Sequence, residues 1–278
     1  MIEYNNSVKN DAKPFLRWAG GKNWLVKHLS NFIPKTGLNN YHEPFLGGAS
    51  IFLAINPEVA FLSDLNIELI ETYTTLKTDP EGIIDALSSF ENTENFYYTI
   101  REKRYINLVE KAARFIFMNQ TSFNGIYRVN LKGEYNVPYG FRAKAFLDKD
   151  GLRQVSCRLK NAILFNGDFS LSKLYIQQGD LVFLDPPYTV SHNTNGFIKY
   201  NQKLFSLEDQ KRLSDLIDHI RGIGAFYLLT NAAHKTIKEI FEKGDRMLIM
   251  NRANLIGGNN AQRGQISEYI FTNLQEKR

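Results

Sequence analysis

The sequence predicts an α/β fold with a largely parallel sheet, and three observations predict it. Seven short apolar stretches recur along the 278 residues, separated by helical patterns, as in a parallel sheet with crossover helices. One of these helices is marked by its cap and its apolar stripe as well as its period. The alternation breaks once, between about 67 and 151, where helical patterns follow one another without strands.

In chain order, Tyr41–Leu46 is the first strand, running into a glycine turn and the start of a helix, and Val59–Ser63 is the second. Helical patterns then cover Glu68–Lys77, Pro80–Phe90, Asn95–Ile106 and Leu108–Met118. A polar-aromatic segment follows, Asn119–Arg142, punctuated by Gly125, Gly133, Pro138 and Gly140. This stretch predicts a smaller, mostly helical domain, 67–151, inserted into a sheet domain made of 1–66 and 152–278. Ala162–Phe165 and Leu181–Leu184 are the third and fourth strands. Ser206 then caps a helix over Leu207–Ile220, with Asp209 completing the capping pattern and Leu213, Leu216, Ile217 and Ile220 forming its stripe. Gly222 and Gly224 end it. Ala225–Leu229, Arg246–Met250 and Glu268–Thr272 complete the strands.

Composition sets the class. Hydrophobic residues are 43% and charged residues 23%, which excludes wholesale disorder. No apolar run approaches the ~20 residues of a membrane helix. Met1–Lys13 lacks an apolar core, so no signal peptide is expected. A single cysteine, Cys157, excludes an internal disulfide and a cysteine-cluster zinc site, and a reducing cytoplasm is the expected home. The five histidines are scattered and no metal is expected. The net charge of +5 permits a polyanionic partner without demanding one. A monomer is expected.

The sharpest motif is Asp185-Pro186-Pro187-Tyr188, directly after an apolar strand. Ligands of open α/β sheets bind beyond the carboxyl ends of strands. Two prolines remove two backbone donors and stiffen the turn, leaving the Asp185 carboxylate and the Pro186 carbonyl as acceptors beside the flat face of Tyr188. That set suits a planar substrate bearing an amino group with two hydrogens. Phe15-Leu16-Arg17-Trp18-Ala19-Gly20-Gly21-Lys22 offers a glycine turn and a lysine that can meet a carboxylate or phosphate, without the spacing of a phosphate-binding loop. Glu43-Pro44-Phe45-Leu46-Gly47-Gly48 places glycines at the end of the first strand, without the fingerprint of nicotinamide or flavin sites. Asp64 ends the second strand, as a holder of ribose hydroxyls or as a helix N-cap. Asp168, beside Phe169, ends the third and could flank an adenine ring. Carboxylates at three strand ends and glycines at another outline a cleft for an adenosine-containing cofactor whose far end carries a carboxylate. S-adenosylmethionine fits, with Lys22 at its amino-acid tail.

From Lys13 to Asn273 the chain resembles the Dam-type DNA adenine methyltransferases, including the adenine methylases of restriction systems that modify GATC. The motifs named above carry the resemblance together with Asp-Leu-Asn, Phe-Asn-Gly-Ile-Tyr-Arg-Val-Asn, Asn-Val-Pro-Tyr-Gly and Gly-Asp-Phe, in the family's order. It implies an S-adenosylmethionine-dependent, Rossmann-like mixed sheet with one antiparallel strand near its end and an inserted target-recognition domain. It implies cofactor contacts from Trp18, Lys22, Asp64, Asp168 and Asp185, to which the reading of the motifs adds Phe45, Gly47 and Phe169. The target base falls to Asp185, Pro186, Pro187 and Tyr188. Position 17 is Arg where Lys is frequent in the family. The loop 189–205 is loosely similar, and 252–264 is not matched.

Within Asn119–Arg142, arginine reads guanine and asparagine reads adenine, while an exposed aromatic can fill the gap left by an extruded base. A β-hairpin with packed aromatics fits the same residues. The resemblance assigns DNA contacts to Phe123, Ile126, Arg128 and Pro138; the residues themselves add Asn124 and Arg17, the latter as a second guanine reader, and place Lys132 and Arg142 on phosphates. The expected activity is base-flipping methylation of the adenine 6-amino group in duplex DNA, with GATC as the site. A cytosine 4-amino methyltransferase more often has Ser at position 185, and a protein-glutamine methyltransferase would have Asn. The residues also allow an RNA substrate or a non-catalytic DNA-binding regulator, and intact Asp185, Tyr188 and Lys22 oppose the regulator.

Overall fold

The computed structural model describes residues 12–34, 36–130, 132–188, 205–253 and 265–275. Along the chain run α1 (Asn23–Val26), β1 (Tyr41–Glu43), α2 (Ser50–Ile55), β2 (Ala60–Asp64), α3 (Ile67–Thr78), α4 (Pro80–Ser88), α5 (Glu94–Glu102) and α6 (Leu108–Thr121). Then come α7 (Lys149–Leu159), β3 (Ala162–Asn166), β4 (Leu181–Leu184), α8 (Leu207–Gly222), β5 (Phe226–Ala232), α9 (Lys235–Phe241), β6 (Arg246–Ala253) and β7 (Gln265–Thr272). The strands form a seven-stranded mixed sheet in the order β3-β2-β1-β4-β5-β7-β6. The β2–β3, β1–β4 and β4–β5 pairs are parallel, and β7 is antiparallel to both β5 and β6. No helix among the described residues is long and apolar enough to cross a membrane.

The chain divides into two compact units, one drawn from 27–45 and 168–278, the other from 4–26 and 46–167. In the first, all four residues of β4 are buried, as a strand covered on both faces must be. The stripe of α8, Leu213, Leu216, Ile217 and Ile220, joins Val182, Leu184, Tyr227 and Leu229 in one core with Ile237, Phe241 and Phe271. The helix begins where the sequence places it. Ser206 Oγ accepts from Asp209 N (3.1 Å), and Asp209 Oδ2 accepts from Ser206 N (2.9 Å), a reciprocal capping box. At the opposite end of the strands, Asp180 Oδ1 accepts from Asn40 N, and its Oδ2 meets Gln177 N and His42 Nε2, pinning the starts of β1 and β4.

In the second unit, β2 and β3 pair beside a helical group in which α6 packs on α3, α4 and α5. Phe115, Ile116, Phe117 and Met118 are consecutive and all buried, so the second half of α6 lies in the core, while Leu108 and Glu110 near its start are exposed. Three differences from expectation have local causes. The first strand stops at Glu43 rather than Leu46, because Pro44 has no N–H to donate. The helix expected over Asn95–Ile106 ends at Glu102; beyond it Ile106 is 94% exposed, so no apolar face remains to bury. Helix α7, not expected, is capped by Asp148, whose carboxylate accepts from Gly151 N, and buries Leu152, Val155 and Leu159.

Candidate functional site

In the first unit, β4 delivers Asp185-Pro186-Pro187-Tyr188 at its carboxyl end. Pro186 is buried and Pro187 exposed. Asp185 Oδ1 accepts from Thr230 Oγ1 at 2.8 Å. The register makes this natural: Leu184 pairs with Leu229, so Thr230 is the next residue along β5. Tyr188 Oη donates to Glu268 Oε2 at 2.6 Å, and Glu268 is a fully buried residue of β7. The Asp185 and Tyr188 side chains are thus held from β5 and β7. Asp168 caps the 3-10 turn Phe169–Leu174, its Oδ1 accepting from Ser170 N (3.0 Å) and Arg212 Nη2 (2.7 Å). Burial raises its pKa, but the bonds from Ser170 and Arg212 outweigh burial and hold the carboxyl below its ordinary value. Phe45 stacks on Phe169 at 5.4 Å between centroids, Phe205 joins them, and the Arg212 guanidinium lies 5.0 Å from the Phe169 ring centre.

In the second unit, Asp64 takes the glycine turn. Its Oδ2 accepts from Gly47 N and its Oδ1 from Asn66 N, each at 3.0 Å. Asn66 is the N-cap of α3, so of the two readings of Asp64 the N-cap role falls to its neighbour. Burial raises the Asp64 pKa beyond what its backbone hydrogen bonds lower it. Gly47 sits at φ +46°, and a Cβ there would lie 2.8 Å from the Trp18 ring, so only glycine lets the turn press against the indole. Trp18 is stacked on Tyr127 at 5.9 Å. Lys22 is buried at 3% exposure, its Nζ donating to Gly20 O and its backbone N to Ser50 Oγ. Trp18, Gly47 and Asp64 are brought together, and Lys22 is tied to the start of α2.

The segment expected to read nucleic acid folds back on itself through two isolated bridges, Ser122–Tyr139 and Val129–Tyr135, rather than a hairpin ladder. Its tyrosines turn inward: Tyr135 and Tyr139 are buried, their hydroxyls on Ile126 O and Asn92 O. Phe123, Asn124, Arg128, Lys132 and Pro138 are exposed, and Ile126 and Arg142 half-buried. Arg128 bonds Asn136 through Nε (2.8 Å) and Nη2 (3.2 Å). Arg17 Nη1 reaches Ser122 O and Gln120 O, while Arg142 Nη1 reaches Gln120 Oε1 at 2.6 Å. The Arg17 pKa is lowered by burial and then by the charge of Arg142. Two guanidinium groups that repel each other gain from a nearby anion. A cleft of about 860 Å³ in this unit is lined by Arg101, Lys103, Arg104, Lys111, Arg114 and Lys132, with Glu68, Glu71, Glu102 and Glu134 among them.

Sequence reasoning missed four residues that hold the others. Thr230 and Glu268 anchor Asp185 and Tyr188, Arg212 bonds Asp168, and Asn119 clamps Arg17. The Asn119 side chain accepts from Arg17 N and donates to the carbonyls of Arg17 and Gly125. A Cβ on Gly125 would collide with the Arg17 side chain, which explains a glycine there at φ +65°. The available signal was an acidic residue, Glu268, opening an otherwise apolar strand.

The profile of the D12 class N6 adenine-specific DNA methyltransferases matches residues 18–255. The Type II methyltransferase M1.LlaDCHI of Lactococcus lactis subsp. cremoris is 34% identical over 277 residues, 95% of this chain and 96% of that protein. The Type II methyltransferase M.MjaIII of Methanocaldococcus jannaschii is 34% identical over 245 residues, 80% and 85% of the two chains. A DNA adenine methylase of Vibrio cholerae is 28% identical over 267 residues, 93% and 95%.

Proposed function

We infer the function from one premise: the chain belongs to the D12 class N6 adenine-specific DNA methyltransferase family, and is therefore a DNA adenine methyltransferase rather than a cytosine enzyme or a regulator. We propose that it methylates the adenine of GATC in duplex DNA, using S-adenosylmethionine and turning the target base out of the helix. The observation that carries this reading is the pairing of Asp185 with Thr230 and of Tyr188 with Glu268 at the carboxyl end of β4.

The residues fit the cofactor. A carboxylate has about four lone-pair sites, and Asp64 gives two to backbone N–H groups, so it has capacity for ribose hydroxyls. Lys22 offers a buried ammonium suited to a carboxylate tail. Trp18, Phe45, Gly47, Asp168 and Phe169 complete the proposed contacts. When bound, S-adenosylmethionine supplies an electrophilic methyl group.

The chain's own task is to prepare the amine. The 6-amino lone pair of adenine is delocalised into the ring and is a poor nucleophile. Asp185 and the Pro186 carbonyl each accept one of its hydrogens, which favours a pyramidal nitrogen with its lone pair directed at the methyl. Thr230 fixes the carboxylate plane for this task, and Tyr188 stacks on the ring. The rate gain comes from positioning and electrostatics, with no covalent intermediate on the protein. The amine is paired inside a duplex, so the base must leave the stack. Phe123, 51% exposed, is proposed to enter the gap, Asn124, Ile126 and Pro138 to contact bases, and Arg128 and Arg17 to read the two guanines. Lys132 and Arg142 are assigned to phosphates, and the basic side chains of the cleft support that polarity. The two type II relatives support a role as the modification enzyme of a restriction system, and a cytoplasmic monomer is proposed beside it.

Tritiated methyl transfer to duplex DNA, followed by nucleoside analysis and methylation mapping, tests the reading. N6-methyladenine within GATC is the expected product. Methyl groups at adenine in another consensus would overturn the site, and none on DNA would overturn the proposal.

A further inference from the structure

We propose that Glu268 is a positioning residue for methyl transfer that acts through Tyr188, fixing its ring and making the ring face more negative as the target amine becomes cationic. This rests on the adenine-methylation reading above. Glu268 is fully buried on β7, facing Ala232 of β5 and Met250 of β6 in register. A β-branched or aromatic residue suits a strand interior better than a carboxylate, and a buried carboxylate is costly unless partners hold it, as Tyr188 does here. The bond it accepts from Tyr188 Oη is 2.6 Å, within the short range typical of a hydroxyl donating to a carboxylate.

That bond acts in two ways. Geometrically, Glu268 fixes the hydroxyl end of Tyr188 from a regular strand. Electronically, a phenol that donates to a carboxylate pushes density into its ring and deepens the negative potential of the ring face. In the transfer, the bond from N6 to the methyl carbon forms as the bond from that carbon to sulfur breaks. The positive charge passes from sulfur to N6, and N6 then releases one of its hydrogens as a proton to solvent. A stacked ring with a more negative face attracts the purine more strongly after the charge has reached it than before. Glu268 is therefore expected to speed the step rather than tighten substrate binding.

The test uses the full chain, a GATC duplex and saturating S-adenosylmethionine, with kcat and KM for the duplex measured separately. Glu268→Gln keeps the size and an acceptor oxygen but removes the charge. It should lower kcat by about two- to thirtyfold, the range of a cation–π contact, with KM for DNA changed by no more than about twofold. Tyr188→Phe should lower kcat in the same way, and adding Glu268→Gln to it should cost nothing further. Turnover of Glu268→Gln equal to that of the parent overturns the proposal, as does an equal loss with and without the Tyr188 hydroxyl. If Glu268→Gln does not fold by circular dichroism, Tyr188→Phe decides alone, and unchanged kcat in that variant overturns the proposal. No adenine methylation by the parent protein overturns the reading beneath it instead, and this proposal with it.

Discussion

Arg128 is exposed and spends both of its observed hydrogen bonds on Asn136, so a base edge can replace that partner at little cost. A bidentate arginine–guanine pair discriminates by roughly 1–3 kcal/mol. Arg128→Ala should therefore relax the preference at one G·C pair by about ten- to a hundredfold, read by methylation mapping across a plasmid. An equally selective variant would remove Arg128 from that role. Asp185 faces a harder demand, since it orients an amine only productively aligned near the transition state. Asp185→Ala should cut single-turnover methylation on the order of 10²–10³-fold at saturating cofactor while leaving DNA binding nearly intact. Rates close to those of the parent would contradict this. Asp185 and Tyr188 stood out in the sequence as candidates because two prolines after an apolar strand leave few other readings. Thr230 and Glu268 were not, because their partners lie 45 and 80 residues away and only strand register brings them together.

At the scale of elements, α8 was legible to its first residue, since its cap is a local exchange between Ser206 and Asp209. Ser206→Ala should cost about 1 kcal/mol in chemical denaturation while leaving the denaturant dependence of stability unchanged. No measurable loss would mean that the core alone holds the helix start. Short α9 was not legible because its cap is a histidine, His234, accepting from Thr236 N, a residue seldom chosen for that place. The ends of β1 and β4 depend on Asp180. Burial raises its pKa, but the bonds from His42, Gln177 and Asn40 lower it further, so its folded value lies below the ordinary one. Its contribution is complete above the unfolded value, about 3.9, and is lost as the pH falls through the lower folded value. Asp180→Asn should thus flatten the acid side of the stability profile and lower stability at neutral pH by about 1.5–3 kcal/mol, the range for a hydrogen bond to a charged group. Denaturation curves at stepped pH would show it, and parallel profiles for parent and variant would contradict it.

Across the whole molecule, the net charge of +5 is modest for a nucleic-acid enzyme, so what favours DNA is where the basic groups stand. Lys132, with Arg101, Lys103 and Lys111 along the same cleft, is the place to look. Lys132→Ala should weaken binding to specific and non-specific duplexes alike and reduce the slope of log affinity against log salt by about 1. A sequence-dependent loss would instead make Lys132 a reader. The strand and helix rhythm that revealed the sheet is a whole-chain property, and so was the single break in it. What composition and period did not reveal was which helices were long enough to reach their next cap, since that depends on whether a neighbouring face exists to receive them, as at Ile106.

β7 follows β6 in sequence, yet it lies inside the sheet between β5 and β6. During synthesis, β5 and β6 leave the ribosome before the strand that separates them. A nascent or truncated chain ending short of Gln265 therefore leaves the inner edge of β5 without its partner, and Tyr188 without Glu268. Carrying the whole Asp-Pro-Pro-Tyr turn is then not enough for full activity, which waits on the strand that fills the gap between β5 and β6.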